Sequence, residues 1–391
     1  MTPVGSDDDP VARQAELERR TDRARGLMLG LALGEPVGLG RHRAGAVTET
    51  GACGPTSSGT ITAGVATQLA AFTLEGYIRA AARMAHKGIC DPPGILWRAY
   101  RRWATGQGID LPADATMPFS GPHPPDGWLC HDPALHERRG DAPTTVAALR
   151  GGRPGTIEQP LPSSMGWHGL VRVLPVAVGA THGHLATVAL AREATALTHG
   201  SELGLDVTSA AVVLTACSLT ADDVLGGLRT GVDAARGLGV EAHLVGTLDR
   251  AMADAVGVAS PATPNPTTRA SPAGPSLDTL RSLAPDPTSL SALAGGLYVA
   301  ATHAEPERFR DALELAARAP EGAAVAAVAG ALLGAAHGAS RLPVDLVARH
   351  ELAWPLDVLA RDVVAQLSDP PGGSEYVEAR DPLWQARYPG W

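Results

Sequence analysis

The sequence predicts an all-α protein, and three observations carry that expectation. Aromatic residues make up only 4% of the 391, against 45 glycines and a hydrophobic share of 45%, so the interior is built mainly of Ala, Leu and Val. Such a composition suits close-packed helices better than sheets, whose pleated faces favour aromatic and β-branched side chains. Apolar and small residues at Ala66, Leu69, Ala70, Phe72, Thr73, Gly76, Tyr77 and Ala80 recur at the three-and-four spacing of a buried helix. Comparable helical runs return along the chain as far as Gln366. A chain of this length and apolar content buries a large core, as one domain or two. The formal charge of −9 argues against non-specific binding of nucleic acid.

Residues 1–20 read as a disordered lead, because charge and proline outweigh apolar content. They hold no apolar core of a secretory signal. No run is long and apolar enough to cross a membrane; the Ala-rich stretch from Val325 to Ala336 is short for a bilayer and broken by glycine. Cys53, Cys90, Cys130 and Cys217 lie far apart with no C-x-x-C pair, which points to reduced thiols in a cytoplasmic protein and not to zinc. A first helix is expected from Asp22, with Leu27, Leu29, Leu31 and Leu33 set among small residues. Pro36 and the glycines after it are expected to end that helix.

The stretch from Ser58 to Met84 is the one around which the rest is organised. Its helix begins after Gly64, and a helix start leaves free N–H groups where an anion sits or a metal site is built. Here the approach reads Gly64, Val65, Ala66, Thr67, with a single side-chain oxygen. The next helix, within Ile89–Gly108, turns Trp97, Tyr100 and Trp103 into the core, while Arg98, Arg101 and Arg102 are too few for a nucleic-acid face on an acidic chain. Residues 109–165 form a Pro-, Gly- and Asp-rich excursion, whose His131 and His136 lack the fixed spacing of metal ligands.

A Gly-containing loop at Ser163, Ser164, Met165 and Gly166 leads into a helix carrying Trp167, His168 and Arg172. Trp167 serves equally as a cap on the core or as a wall that narrows a cleft. A helical pair follows between Leu185 and Leu219, with His199 at a helix end, where either a ligand or the helix dipole alone accounts for it. Helical pattern continues over 221–257, a Pro-rich loop covers 258–288, and the last core unit runs over 289–343 before a final helix within 345–366. One helical domain is thus expected at 21–367. The tail, 368–391, carries Tyr376, Trp384, Tyr388 and Trp391, read as exposed aromatics on a segment that folds back over the body or docks a protein partner.

The segment from Thr67 to Ala80 resembles the one that follows the Thr-Asp-Asp-Thr metal motif of bacterial ADP-ribosylglycohydrolases. Further landmarks agree: Gly34–Gly38 is similar to Gly-Asp-Ala-Leu-Gly, Asp141–Thr145 to Pro-Gly-Asn-Thr, and Val171–Pro175 to Met-Arg-x-x-Pro. Thr198–Gly200 and the unit from Ser289 to Pro343 also match, so the resemblance covers Asp22 to Gln366. It implies a compact orthogonal multi-helix fold and removal of ADP-ribose from modified proteins at a two-magnesium site. It implies too that the loop at Ser164 and Gly166 wraps ribose and phosphates with backbone N–H groups, and that Thr67, Trp167, Arg172 and His199 lie at the ligand.

The chain departs from the family where the metal should be held. On the first motif Thr, Asp and Asp fall on Gly64, Val65 and Ala66, and only Thr67 survives. The second, Gly-Gly-Asp-Thr-Asp-Thr, falls on Ala319–Ala324, where Glu321 is the one acid left and Ala323 replaces the other. Glu35 keeps the charge of its Asp counterpart, and the gating acid further on is replaced at Arg41 or His42. Magnesium wants about six oxygen ligands, so no metal cofactor is expected. Three readings remain: a pseudoenzyme that binds ADP-ribose, a nucleotide-like molecule or a protein partner; an enzyme of metal-independent chemistry using Glu35, His168 or Glu321 as acid and base; or a divergent hydrolase of N- or O-glycosidic ADP-ribose bonds.

Overall fold

The computed structural model describes residues 10–44, 59–112, 126–161, 163–182, 184–259 and 275–390. In chain order its helices are α1 (Pro10–Ala44), α2 (Val65–Lys87), α3 (Pro92–Gly106), α4 (Pro143–Arg150), α5 (Trp167–Val171), α6 (His184–Ala196), α7 (Glu202–Thr220) and α8 (Val224–Gly237). They continue as α9 (Ala242–Ala259), α10 (Leu277–Leu283), α11 (Ser289–Thr302), α12 (Phe309–Ala316), α13 (Gly322–His337), α14 (Val344–Arg349), α15 (Ala353–Ser368) and α16 (Trp384–Arg387). Among the described residues no strand forms; the extended pieces meet only as isolated bridges, Ile61 with His350 and Gly166 with Thr288. The all-α expectation therefore holds.

Helix α1 begins at Pro10, inside the stretch expected to be disordered, and it runs through Pro36, where the sequence reading stopped it. Pro36 lacks the N–H that would bond the Ala32 carbonyl one turn back. The helix nevertheless continues to Ala44. Arg41 and His42 fall in its last turn, with side chains outside the described residues.

The centre of the molecule is the pairing of α1 with α13, where small residues let two backbones touch. A Cβ on Gly30 would lie 2.1 Å from the Gly330 carbonyl oxygen, and one on Gly34 would lie 2.0 Å from that of Ala326. Helices α2, α7, α11 and α15 pack around this pair. Helix α7 corrects one expectation: its length and mean hydropathy of 1.6 fit a membrane span, yet 78% of it is buried inside the body, between α6 and α8.

The tail folds back over the body, one of its two expected outcomes, and corrects the exposure expected of two rings. Trp384 and Tyr388, expected on the surface, are 3% and 0% exposed. Each ring finds a polar partner on α15: Trp384 Nε1 donates to Gln366 Oε1 at 2.7 Å and the Tyr388 hydroxyl to Asp362 Oδ2 at 2.6 Å. A buried ring whose polar handle is satisfied is stable there. Tyr376 does stand exposed, and Trp391, Cys53 and residues 260–274 of the Pro-rich loop lie outside the described residues.

Candidate functional site

The approach to α2 is fixed by the far end of the chain. Ile61 N–H donates to the Arg349 carbonyl at 2.8 Å and Glu351 N–H returns a bond to the Ile61 carbonyl at 3.0 Å. Ala63 N–H donates to one Glu351 carboxylate oxygen at 2.9 Å, and Arg139 donates to the other at 2.7 Å. Gly64 then precedes the helix in extended backbone and supplies no cap of its own.

The cap comes from α1. The Glu35 carboxylate accepts the N–H of Ala66 at 2.9 Å, the N–H of Thr67 at 2.8 Å and the Thr67 hydroxyl at 2.7 Å. It is 0% exposed, an anion held at the positive end of a helix. Burial pushes its pKa above the ordinary carboxylate range, against these three hydrogen bonds, which favour the ionised form. A Cβ on Gly64 would lie 2.2 Å from Glu35 Cδ, so the glycine is a condition for the carboxylate to be there.

The start of α13 flanks the same part of α1. Glu321 precedes it, half-buried, accepting the Val325 N–H on its backbone carbonyl at 3.2 Å and giving the helix no side-chain cap. A Cβ on Gly38 would lie 2.0 Å from the Ala323 nitrogen, so here backbone meets backbone. Residues 34–38 of α1 thus close both helix mouths. Paired magnesium does not fit this donor set: Glu35 already accepts three hydrogen bonds, the Thr67 hydroxyl is spent on Glu35, and Ala323 and Ala324 carry no side-chain oxygen. Among the described residues, no group of three or more His, Cys, Asp and Glu side chains gathers in a metal-holding arrangement.

The other sequence-predicted residues gather around α5. The Trp167 ring stacks on His168 with centroids 3.9 Å apart at 22°. His199 lies against this turn, its Nδ1 paired with the Thr198 hydroxyl at 2.7 Å, and a Cβ on Gly169 would meet its ring at 2.8 Å. The Ser164 hydroxyl accepts the Gly166 N–H at 3.4 Å and lies 3.3 Å from that of Thr144. Arg172, fully buried, donates to Thr145 Oγ1 at 3.1 Å and to the Ala194 carbonyl at 3.0 Å, with its guanidinium 4.3 Å from the centre of the Tyr100 ring. Burial, reinforced by the Arg172 charge, lowers the His168 pKa to about 4 and holds that of His199 well below its ordinary value, so both imidazoles are neutral near pH 7.

The structure therefore unites Glu35 with Thr67, brings Ser164, Gly166, Trp167, His168, Arg172 and His199 into a second group, and sets Glu321 at the start of α13. His131 is exposed, and His136 is engaged with the Cys130 carbonyl at 2.8 Å. Sequence reasoning missed Glu351, His350 and the steric role of Gly64; no local spacing links residues so distant in the chain.

The model of a family described as ADP-ribosylglycohydrolase matches residues 16–372. A solved structure described as "ADP-ribosylglycohydrolase-related protein complex" is similar in fold, with a TM-score of 0.52 at 20% identity, over 90% of this chain and 99% of that one. No curated protein matches the chain.

Proposed function

The chain belongs to the ADP-ribosylglycohydrolase family, and from that premise we propose that it retains a cleft for ADP-ribose or a nucleotide-like ligand without the paired-magnesium reaction. The observation that carries this reading is the Glu35 carboxylate seated in the mouth of α2 beside Gly64. By the resemblance, Glu35 stands for a shorter Asp and Gly64 for a Thr. One position has gained a methylene where the other has lost a side chain, and the two changes complement each other in volume. An oxygen cage has become an internal cap.

The second group supplies what a ligand site without metal needs. The partly exposed hydroxyls of Ser164 and Thr144 suit ribose and phosphate, and behind them lie the Trp167–His168 stack and the buried, neutral His199. Glu35 is wholly buried and acts on this reading as a positioning residue for α2. A metal-independent enzyme is favoured by one observation, the largely buried His168, neutral at pH 7 and so with a free nitrogen lone pair, with Glu321 as the candidate acid. Cys90, Cys130 and Cys217 as free thiols accord with a cytoplasmic location. A protein partner at the tail would engage Tyr376 and Val377, since Trp384 and Tyr388 are committed to the body.

Thermal melting with ADP-ribose and magnesium, singly and together, tests the reading. ADP-ribose alone is expected to stabilise the chain, by about 2.7 kcal/mol at a hundredfold excess over Kd, and magnesium to add nothing. Release of ADP-ribose from modified arginine, serine or DNA that a chelator abolishes would restore the family reaction and end the proposal. Release that a chelator leaves untouched and that His168→Phe abolishes would establish the metal-independent enzyme instead.

A further inference from the structure

The last twenty residues reach, through packed side chains, the approach to α2. Helix α16 is anchored on α15: Arg387 pairs with Asp362 at 2.8 Å beside the Tyr388 bond to the same carboxylate, and the Arg83 guanidinium holds the Gly390 carbonyl at 2.8 Å. From that anchor the Arg387 guanidinium lies over the Trp128 ring, 5.4 Å from its centre. Trp128 meets Trp354 edge to face, with centroids 5.5 Å apart at 80°.

Trp128 belongs to a segment that is fastened to α2 at both ends. Asp126 accepts Arg79 Nη1 on its carboxylate and Nη2 on its carbonyl, each at 2.9 Å, and Arg79 is wholly buried. Gly127 has φ +86, and a Cβ there would lie 2.0 Å from Arg79 Nη2, so only glycine lets the chain pass over the guanidinium. Further on, Gln68 in the first turn of α2 donates to the carbonyls of Ala134 at 3.2 Å and Glu137 at 2.9 Å. Arg139 joins Glu351, which holds Ala63, and a Cβ on Gly140 would lie 3.0 Å from Val65 Cγ1.

We propose that residues 369–390 form a strap that presses segment 126–142 onto the N-terminal end of α2, so that releasing the strap loosens the closure of that mouth. The segment is bonded to α2, to Glu351 and, through the Leu135 carbonyl, to Gln107 after α3, whereas Trp128 meets the tail through the Arg387 guanidinium over its ring. Ring contacts at half-exposed positions are individually weak, so the strap yields at Trp128 before the segment leaves α2. A ligand or protein that lifts the tail would act on the mouth in this way. The coupling does not depend on which molecule the cleft binds, so it stands or falls separately from the ADP-ribose reading.

Hydrogen exchange read by mass spectrometry, without ligand, compares the intact chain with Arg387→Gln and with Tyr388→Phe, an isosteric change that guards against a misfolded first variant. Amides over 128–140 and 63–67 are expected to exchange about tenfold faster while those of α13 keep their rates. Acceleration confined to 370–390 would overturn the strap. Acceleration that includes α13 would also overturn it, because the tail would then serve global stability only.

Discussion

The mouths of α2 and α13 flank the same turn of α1 and are closed by opposite means. At α2 a buried carboxylate satisfies two backbone N–H groups and a hydroxyl; at α13 the residue before the helix gives no side-chain cap and glycine lets backbone touch backbone. The first closure is chemical, and it tolerates change only when Glu35 and Gly64 change together. The second is steric, and an added atom has nowhere to go. One stretch of α1 therefore closes two helix starts by two kinds of physics, and the variants that separate them differ in size of effect.

The largest effect is expected at the steric side. Gly34→Val places a side chain within 2.0 Å of the Ala326 carbonyl oxygen, so α1 and α13 must part. A loss of more than about 3 kcal/mol in urea melts, or no folded product, is expected. Near-native stability would show that the backbones do not touch. Next comes Gly64→Thr, whose Cβ would lie 2.2 Å from Glu35 Cδ. A cost of about 2 kcal/mol is expected, recovered in part by Glu35→Asp in the double variant, with a coupling of about 1 kcal/mol. Strictly additive costs would mean that the two residues share no space, and the comparison between the mouths would lose its chemical half.

How much of this could be read from the sequence follows from how local each cause is. The bounds of α2 were legible because Gly64 and the apolar spacing from Ala66 to Ala80 lie within a few turns of one another. The end of α1 was not: Pro36 reads as a helix breaker, yet α1 runs on to Ala44, held along its length by α13 and α15, which lie far from it in the chain. The burial of Trp384 and Tyr388 was not legible, because both sit among polar residues and their partners Gln366 and Asp362 lie on the preceding helix. Glu35 was singled out for its charge, yet its partners on α2 emerged only from the fold.

A smaller effect tests the charge itself. Glu35→Gln keeps the shape but turns an amide N–H toward donors that need an acceptor, costing about 1–2 kcal/mol. Burial holds the folded-state pKa of Glu35 above its unfolded value, so the folded chain binds its proton more tightly. The wild type then loses stability as pH rises from the ordinary carboxylate value through the raised one, whereas glutamine does not titrate. The gap between the two proteins in urea melts is expected to narrow across that window. A gap that widens would show that the three hydrogen bonds outweigh burial.

The smallest effect lies away from both mouths, where closure by charge and closure by glycine give way to a single neutral pair. Thr198→Val removes the hydroxyl 2.7 Å from His199 Nδ1 while keeping the volume. The imidazole is buried and neutral, so one ordinary hydrogen bond is lost, about 1 kcal/mol. Nitrogen NMR of the His199 ring adds a readout that stability lacks: with the Thr198 partner gone, the proton is free to redistribute between Nδ1 and Nε2. An unchanged tautomer would assign its control to the ring's packing against Gly169. That outcome would make the second group, like the mouth of α13, a site shaped by contact more than by polar bonding.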